Sequence, residues 1–519
     1  MTDNTKQTSS LTRDTGAFAA ATLISRILGY CRDAALAAFV PTDLTDLYLA
    51  CFRLPNTFRR LFGEGAVSVA FIPTFSRVQQ EDPKSAKRLF GSALSVVGLG
   101  TSIVTLIGIL AAPWFLPFYL DLPSAAENAE TLSTANRLLV WMFPYLILIC
   151  LAAVATGVLN ARGRFFIPAA TPILFNLSLL AAILCYWKFQ NPSILWLGMG
   201  VLVGGVLQLL LLVFPLVRMK GLPRFSGNPL SDPNLKSALA LFLPATFTLG
   251  VTQINLLVNT KFALDMGEGP NSYLFYANRL AELPLGIFGI AIATAAFPRF
   301  STSALEEDRA KIKAPLLNSL TGTFLVNLPA MVGLWVLATP LVDLLFNRGE
   351  FAARGGLEGT VLPLRVYVLG LISFTCVKIF GNLCYAVGDA RTPVVAGVCS
   401  VVTNLFLAYW LRFTWLGHSG IALAVVCGAT VNVLVMVVRL RQRIELSWLV
   451  ELASPVGRIA VASILMGGAV HLALDLIPEG RTAWAVSIGM IVGAVVYSGL
   501  GFVMFPDRMK TLLKRIKKT

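Results

Sequence analysis

The sequence predicts an all-α polytopic membrane protein with about fourteen transmembrane helices. Hydrophobic residues make up 56% of the 519 residues and charged residues only 13%, whereas soluble proteins average about 25% charged residues. The mean hydropathy is +0.74. Apolar stretches of about 20 residues, the length at which a helix crosses a bilayer, recur along the whole chain. Together these observations exclude a soluble globular protein.

One helix for each apolar stretch gives the order of elements. The predicted helices cover residues 16–40, 44–76, 89–113, 132–160, 166–187, 193–218, 236–264, 271–298, 313–339, 358–387, 392–412, 419–439, 456–476 and 482–505. The first two helices contain several charged residues, and the others are more uniformly apolar.

The loops between the helices alternate in charge, which predicts their orientation. One set is basic, as at Arg162 and Arg164, and the other is acidic, at 120–130 and 265–270. Because cytoplasmic loops carry the excess of lysine and arginine, the basic loops and both termini are predicted to be cytoplasmic. The basic cytoplasmic loops explain the net charge of +15, which therefore does not indicate a nucleic-acid partner. The basic tail at 510–518 either contacts anionic membrane lipids or serves only as a topology anchor.

No pattern in the sequence predicts an enzyme, a metal centre or a disulfide. The first 15 residues are polar and the first apolar stretch contains arginines, which argues against a signal peptide. The eight cysteines form no CxxC pair, and the two histidines are isolated. Motifs of serine hydrolases, zinc proteases and phosphate-binding loops do not occur. We therefore expect no catalytic residues and no resident cofactor or metal.

The chain contains an internal repeat. Residues 48–76 resemble 273–301, with Arg53 aligned to Arg279 at a shift of 279 − 53 = 226. Independently, the segment that ends at Pro168 resembles the one that ends at Pro393, a shift of 393 − 168 = 225. Shared apolar composition alone does not explain two independent matches at nearly the same shift.

The repeat predicts two lobes in the membrane. It contains six helices, an even number, so the two copies have the same orientation and a pseudo-two-fold axis runs along the membrane normal. The predicted domains are an N-lobe at 1–230, a C-lobe at 231–445, and a C-terminal helix pair with the basic tail at 446–519. The two lobes are expected to enclose a central cavity.

Charged residues concentrate in the first two predicted helices. Together with one nearby asparagine they are Arg26, Arg32, Asp33, Asp46, Arg53, Asn56, Arg59, Arg60 and Glu64. A charge near the bilayer centre costs about 2.5–3.5 kcal/mol, so such residues mark a functional site unless they reach the headgroups from a helix end. Arg279 in the eighth helix is the counterpart in the second lobe.

The predicted cavity contains more arginine residues than acidic residues. A guanidinium group matches the geometry of phosphate and stays charged when dehydrated, so an anionic, phosphorylated substrate is favoured over a cationic drug. Asp33 and Asp46 either pair with the arginines or bind a coupling cation. Gly29, Gly63 and Gly65 either permit bends in these helices or are close-packing points.

Three motifs carry a resemblance to a known family. They are SRILGYCRD at 25–33, RLPNTFRRLFGEGAVSVAFIP at 53–73 and ANRLAELPLGIFGIA at 277–291. They resemble the MviN/MurJ family of bacterial lipid II flippases, which belongs to the multidrug/oligosaccharidyl-lipid/polysaccharide exporter superfamily. The resemblance covers essentially the whole chain. It implies alternating-access transport of the undecaprenyl-pyrophosphate-linked peptidoglycan precursor, lipid II, from the inner to the outer leaflet of the bacterial cytoplasmic membrane.

The resemblance also implies roles for individual residues. Substrate-binding arginines of the family fall on Arg26, Arg32, Arg59 and Arg279, and the last three resemble the triad that holds the pyrophosphate. The family's cavity or gate positions fall on Ser25, Asp33, Asp46, Asn56 and Glu64. Asn278 stands where many members have aspartate. The family's cation site involves the seventh and eleventh helices, where Asn259 is a candidate ligand with no carboxylate beside it.

Other functions remain open at this point. The alternatives are a flippase for another lipid-linked oligosaccharide, a drug/ion antiporter of the same superfamily, an enzyme acting on the same lipid, and a non-transporting scaffold for cell-wall assembly. The motif at 53–73 favours the MviN/MurJ function over the first two, and intramembrane arginines in both lobes argue against a scaffold. Coupling to sodium or to the membrane potential, and contacts with cell-wall synthesis proteins, are further expectations.

Overall fold

A computed structural model of the chain confirms an all-α membrane protein. It describes residues 2–65, 71–122, 128–189, 193–219, 221–225, 228–305, 309–441, 447–478 and 480–505. The secondary structure of these residues is helical throughout, without a β-strand. The α-helices, numbered in chain order, are α1 Thr2–Phe39, α2 Thr42–Arg59, α3 Ile72–Glu81, α4 Pro83–Tyr119, α5 Ala129–Met142, α6 Pro144–Ala161, α7 Phe166–Lys188, α8 Leu195–Arg218, α9 Pro233–Leu264, α10 Pro270–Pro284, α11 Ile290–Leu305, α12 Arg309–Val336, α13 Ala338–Phe346, α14 Gly349–Ala353, α15 Gly356–Leu369, α16 Leu371–Ala386, α17 Arg391–Leu411, α18 Ser419–Leu440, α19 Trp448–Asp475 and α20 Thr482–Met504.

Eleven helical stretches among the described residues are long and apolar enough to cross a membrane. They correspond to the predicted helices other than 16–40, 44–76 and 236–264. The first two of these exceptions contain the intramembrane charges, and the third includes side chains at 241–249 that lie outside the described set. A multi-pass membrane protein is therefore confirmed, and the count of fourteen spans stays a prediction.

The second and eighth predicted helices each contain a π-helical segment. The first lies at Arg60–Gly65, after α2, and the second at Leu285–Gly289, between α10 and α11. An added Cβ at Gly289 would lie 2.8 Å from the Thr375 hydroxyl oxygen, so glycine permits the close approach of α16. Gly63 and Gly65 lie in the first π segment, and the choice between a bend and close packing at these glycines stays a prediction. No break occurs at Gly29, because α1 is continuous.

Two long helices begin with the same Asp-Pro pair. The Asp82 carboxylate accepts hydrogen bonds from the N–H groups of Lys84 and Ser85, at 2.9 and 3.2 Å, and starts α4. The Asp232 carboxylate accepts one from the Asn234 N–H at 2.9 Å and starts α9. The proline that follows each aspartate fits the first helical position, where no N–H is needed. Hydrogen bonds from the Ser85 side chain and the Lys84 N–H lower the pKa of Asp82.

The turns after α6 and α16 have the same hydrogen-bond pattern. Gly163 and Gly388 both adopt the left-handed conformation, with φ of 72° and 74°. In the first turn the Arg164 N–H donates to the Leu159 carbonyl at 2.9 Å, and in the second the Asp389 N–H donates to the Cys384 carbonyl at 2.8 Å. Each turn ends a helix with a residue in the left-handed conformation, and this position favours glycine because glycine has no Cβ.

The chain divides into two compact units. Unit 1 comprises Met1–Asn271 with Gly349–Phe351, and unit 2 comprises Ser272–Arg348 with Ala352–Thr519. This division is based on contacts and places α9 in unit 1, where it packs against α2 and α4. The predicted boundary between the N-lobe and the C-lobe, at 230/231, comes from the sequence repeat, and it stays a prediction.

Each unit has its own apolar core. In unit 1, α3, α4, α6 and α8 meet around Phe75, Leu89 and Leu159. In unit 2, α11, α12 and α16 meet around Phe300, Leu316 and Leu383. The last two helices belong to unit 2, where α19 packs on α12 and on α20. The Tyr497 hydroxyl of α20 donates to the Leu325 carbonyl at 2.7 Å, which ties this pair to α12.

Candidate functional site

Arg32 and Asp33 form a charged pair on α1. Arg32 donates to Asp33 Oδ1 from Nε at 2.9 Å and from Nη2 at 2.5 Å. The Asp33 side chain is 1% exposed and the Arg32 side chain 18% exposed. A buried carboxylate is tolerated when it is paired and hydrogen-bonded, so the structure confirms that Asp33 pairs with an arginine.

Asn176 of α7 links this pair to the rest of unit 1. Its Oδ1 accepts a hydrogen bond from Arg32 Nη1 at 3.0 Å, and its Nδ2 donates to the Ser25 carbonyl at 3.0 Å. One amide therefore holds α1 at two points that are two helical turns apart. Asn176 was not predicted from the sequence, although a lone asparagine within an apolar span is a signal for an interhelical hydrogen bond.

Arg59 and Asn56 form a second polar group, at the end of α2. Arg59 Nε donates to Asn56 Oδ1 at 2.7 Å. Residues three apart share one face of a helix, so the amide orients the guanidinium just before the π segment begins. Farther back on α2, Arg53 donates to the hydroxyl of Thr260 on α9. Asn56 is thus a positioning partner for an arginine.

A cavity of about 270 Å³ lies beside Arg59 within unit 1. Its polar lining comes from Arg59, Thr156, Asn160, Thr171 and Gln208, and the remaining lining is apolar. The Gln208 side chain is nearly completely buried, and its Oε1 has no hydrogen-bond partner among the described residues. The structure thus places a partly open cavity with a mixed polar and apolar lining beside Arg59.

Asp46 is also buried. Its Oδ2 accepts a hydrogen bond from the Gly269 N–H at 2.6 Å, and its carbonyl accepts one from Asn271 Nδ2 at 3.2 Å. Asp46 therefore fixes the start of α2 to the segment that leads into α10. This position suits the gate role that the family resemblance implies, and the role itself stays a prediction.

Three further predicted site residues are Arg26, Arg279 and Glu64. Arg26 is half-buried on α1, and Arg279 is half-buried on α10 in unit 2. The neighbouring Asn278 donates to Glu282 Oε1 at 3.0 Å. The Glu64 side chain lies outside the described residues.

The candidate cation ligand Asn259 is buried in α9. Its Oδ1 has no hydrogen-bond partner in the part of the chain that the structure describes. Within that same part, no cluster of three or more His, Cys, Asp or Glu residues is suited to a metal ion. A cation site at Asn259 therefore stays a prediction.

Comparison with known proteins decides the family. The family model described as lipid II flippase MurJ matches residues 36–495. A probable lipid II flippase MurJ of Bdellovibrio bacteriovorus is 32% identical over 502 residues, which cover 94% of this chain and 93% of that protein. The chain belongs to the lipid II flippase MurJ family. A lipid II flippase MurJ of Burkholderia cenocepacia is 32% identical over 81% of this chain and 82% of its own.

Solved structures agree with membership in the MurJ family at the level of the fold. The chain matches a lipid II flippase MurJ in an inward closed conformation with a TM-score of 0.80, at 24% identity, over 95% of this chain and 99% of that one. It also matches an inward-facing multidrug resistance MATE family transporter with a TM-score of 0.67, at 16% identity, over 80% of this chain and 94% of that one. These likenesses confirm the fold, and the superfamily stays a prediction.

Proposed function

We propose that this MurJ-family chain moves lipid II from the inner to the outer leaflet of the bacterial cytoplasmic membrane by alternating access. The observation that carries the proposal is the family match over most of the chain, combined with arginines held within predicted membrane helices. Arg32 is held by Asp33 and Asn176, and Arg59 by Asn56. Fixed guanidinium groups of this kind suit a pyrophosphate.

In this proposal Arg26, Arg32, Arg59 and Arg279 bind the substrate, and the last three bind its pyrophosphate. The sugar-peptide headgroup passes through a wet cavity, and the lipid tail stays in the bilayer. No chemical step is required, so the proposed activity is transport without catalysis. Contacts with cell-wall synthesis proteins are an additional proposal, and nucleic acid is not a proposed partner.

The direct test is the distribution of lipid II between leaflets after depletion of this protein in its own host. Lipid II should accumulate unaltered on the inner leaflet and decline on the outer leaflet. A chemically altered lipid would support an enzyme instead. Normal arrival of lipid II at the outer leaflet, with loss of another lipid-linked saccharide, would support the alternative flippase. An unchanged distribution of both, with increased sensitivity to a drug, would support the antiporter.

The two-lobe architecture with fourteen spans is part of the same proposal. The π segments start at Arg60 and Leu285, a difference of 285 − 60 = 225. The left-handed glycines Gly163 and Gly388 differ by the same number, 388 − 163 = 225. These offsets equal the shift of 225 in the second sequence match and differ by one residue from the shift of 226 in the first, which supports a common design for helices one to six and seven to twelve.

The proposed topology has both termini in the cytoplasm and predicts the outcome of cysteine labelling. Single cysteines at Asn128 and at the exposed Glu268, in the same acidic segment as Gly269, should react with an impermeant reagent added from outside, and those at Ser85 and Arg441 should not. The physical reason is the retention of basic loops on the cytoplasmic side. The reagent applied to inverted vesicles is the control and should give the opposite pattern. Reversal at two or more positions would contradict the topology.

The membrane potential is proposed to reset the empty transporter. An empty, net positive cavity is drawn toward the negative cytoplasm, because one charge moved through 100 mV is worth about 2.3 kcal/mol. A bound pyrophosphate cancels this bias and permits outward opening. We expect an ionophore that collapses the potential to lower the inward-open fraction of the empty protein, measured by cysteine crosslinking across the outer gate. An inward-open fraction that does not change with the potential would leave sodium coupling as the competing proposal.

A further inference from the structure

Lys378 is an intramembrane cation outside the predicted site. It lies in α16, within the stretch Gly356–Ala386 that is long and apolar enough to cross a membrane, and it is exposed. It is eight residues from the end of α16 at Ala386, or about 12 Å at 1.5 Å per residue. Among the described residues it has no hydrogen-bond or ion-pair partner. A charge in a membrane span marks a functional site unless the side chain reaches out to the headgroups.

The internal repeat relates Lys378 to the cavity in unit 1. The turns that end α6 and α16 have the same hydrogen-bond pattern, and their glycines, Gly163 and Gly388, are 225 residues apart. At this offset Lys378 corresponds to Ala153, because 378 − 225 = 153. Ala153 of α6 lines the cavity beside Arg59. Lys378 therefore occupies in unit 2 the position that belongs to the cavity wall in unit 1.

The exposed face of α16 agrees with this correspondence. Four residues at helical spacing form the face: Phe374, Lys378, Gly381 and Tyr385. Their counterparts at the repeat offset all line the cavity in unit 1: Ile149, Ala153, Thr156 and Asn160. Beyond the backbone of α16 itself, no described atom lies within 4 Å of a Cβ added at Gly381, and Tyr385 is exposed. An open face with an ammonium group and a phenol suits a wet cavity.

The exposed face of the next helix, α17, has a different composition. Its residues at helical spacing are all apolar: Val394, Val398, Val402 and Phe406. Such side chains are favourable in contact with lipid tails, whereas lysine is not. A lysine that only reached out to the headgroups from a lipid-facing position would lie among residues of this kind. The composition of the α16 face therefore favours a cavity position for Lys378.

The distance between Lys378 and Arg279 along unit 2 indicates which part of a substrate Lys378 meets. A Cβ added at Gly289 would lie 2.8 Å from the Thr375 hydroxyl oxygen, so these two residues lie at one level. Gly289 is ten residues beyond Arg279, or about 15 Å along the helix, and Lys378 is nearly one turn beyond Thr375. In the proposed topology both helices run toward the cytoplasm. Lys378 is therefore on the loading side of Arg279, out of reach of a pyrophosphate that is bound there.

We propose that Lys378 binds a carboxylate of the peptide part of the lipid II headgroup. The proposal rests on the proposed flippase function and assigns a residue to a part of the substrate that the arginines do not bind. A peptide chain ends in a carboxylate, which is the anionic group that remains once the pyrophosphate is bound elsewhere. An ammonium group is a compact point charge that pairs with a carboxylate oxygen, and it lacks the planar fork that a guanidinium offers to a phosphate.

The test compares two lipids that differ only in the charge of the peptide. The full-length protein and its variants are purified, and the Kd is measured for lipid II and for lipid II whose peptide carboxylates are converted to amides. Lys378→Met should weaken the binding of lipid II by about tenfold, as expected for loss of a hydrogen bond to a charged group. It should leave the binding of the amidated lipid unchanged. Lys378→Arg keeps the charge and should bind lipid II nearly as the unmodified protein does.

Two further variants bracket this result. Arg279→Ala should weaken the binding of both lipids, because both contain the pyrophosphate. Lys188→Met is the matched control. Lys188 is an exposed lysine in the last turn of α7 and does not line the cavity in unit 1, so this variant should bind both lipids as the unmodified protein does.

Two results would overturn the carboxylate site while the flippase proposal survives. One is unchanged binding of lipid II by Lys378→Met, which is expected if the lysine only reaches out to the headgroups. The other is an equal loss for the two lipids, which indicates that Lys378 acts on the phosphates or on the shape of the cavity. Failure of the unmodified protein to bind either lipid would instead contradict the proposed function, and the carboxylate site with it.

Discussion

Alanine in place of Arg32, Arg59 or Arg279 should abolish support of cell-wall growth, while each variant protein still inserts in the membrane. A hydrogen bond to a charged group contributes about 1.5–3 kcal/mol, so each loss should weaken substrate binding by about one to two powers of ten. Lysine at Arg59 should rescue poorly, because an ammonium group lacks the planar fork that bonds to two phosphate oxygens. Growth after depletion of the unmodified protein is the measurement, with membrane fractionation for insertion.

Arg218→Ala is the matched control for these variants. Arg218 lies at the end of α8, is exposed, and has its guanidinium carbon 4.4 Å from the centre of the Phe214 ring. An arginine at a helix end contributes mainly to topology, so this variant should support growth. If the alanine variants of Arg32, Arg59 and Arg279 all support full growth, the pyrophosphate is bound elsewhere.

The helices were predictable from the sequence because hydropathy is a local property. The one-residue breaks within them were not predicted, because a hydropathy count contains no information on backbone hydrogen bonds. The predicted helix 132–160 has such a break at Phe143, which keeps helical dihedral angles and directly precedes Pro144, a residue without the N–H that continues a helix. A second break lies at Gly370, between α15 and α16. The π segment at Arg60–Gly65 was not predicted, since its glycines indicated either a bend or close packing.

The charged residues of the candidate site were predictable from the sequence. Arg32, Asp33 and Arg59 stand out because a charge in a membrane span is costly, and the structure shows how two of them are paired. Uncharged amides are less conspicuous in an apolar sequence. Asn176 and Gln208 were therefore missed, although the first orients Arg32 and the second lines the cavity beside Arg59.

Breaking the pair of Arg32 and Asp33 should separate a structural role of the arginine from a binding role. Arg32→Ala leaves the Asp33 carboxylate, 1% exposed, without its arginine donors. Removal of one partner of a buried pair costs about 3–5 kcal/mol, and the partial exposure of Arg32 places the expected cost at the lower end. The Tm of the purified Arg32→Ala protein should therefore fall by several degrees.

Replacement of both partners should reverse this loss of stability without restoring function. Apolar residues of similar volume in place of a buried ion pair are often neutral or stabilising, so Arg32→Met/Asp33→Leu should regain a Tm near that of the unmodified protein. It should still fail to support growth, because no guanidinium remains to bind the pyrophosphate. Growth of the double variant would show that Arg32 serves only to balance Asp33 within α1, and the phosphate would then have to be bound by the arginines of α2 and α10.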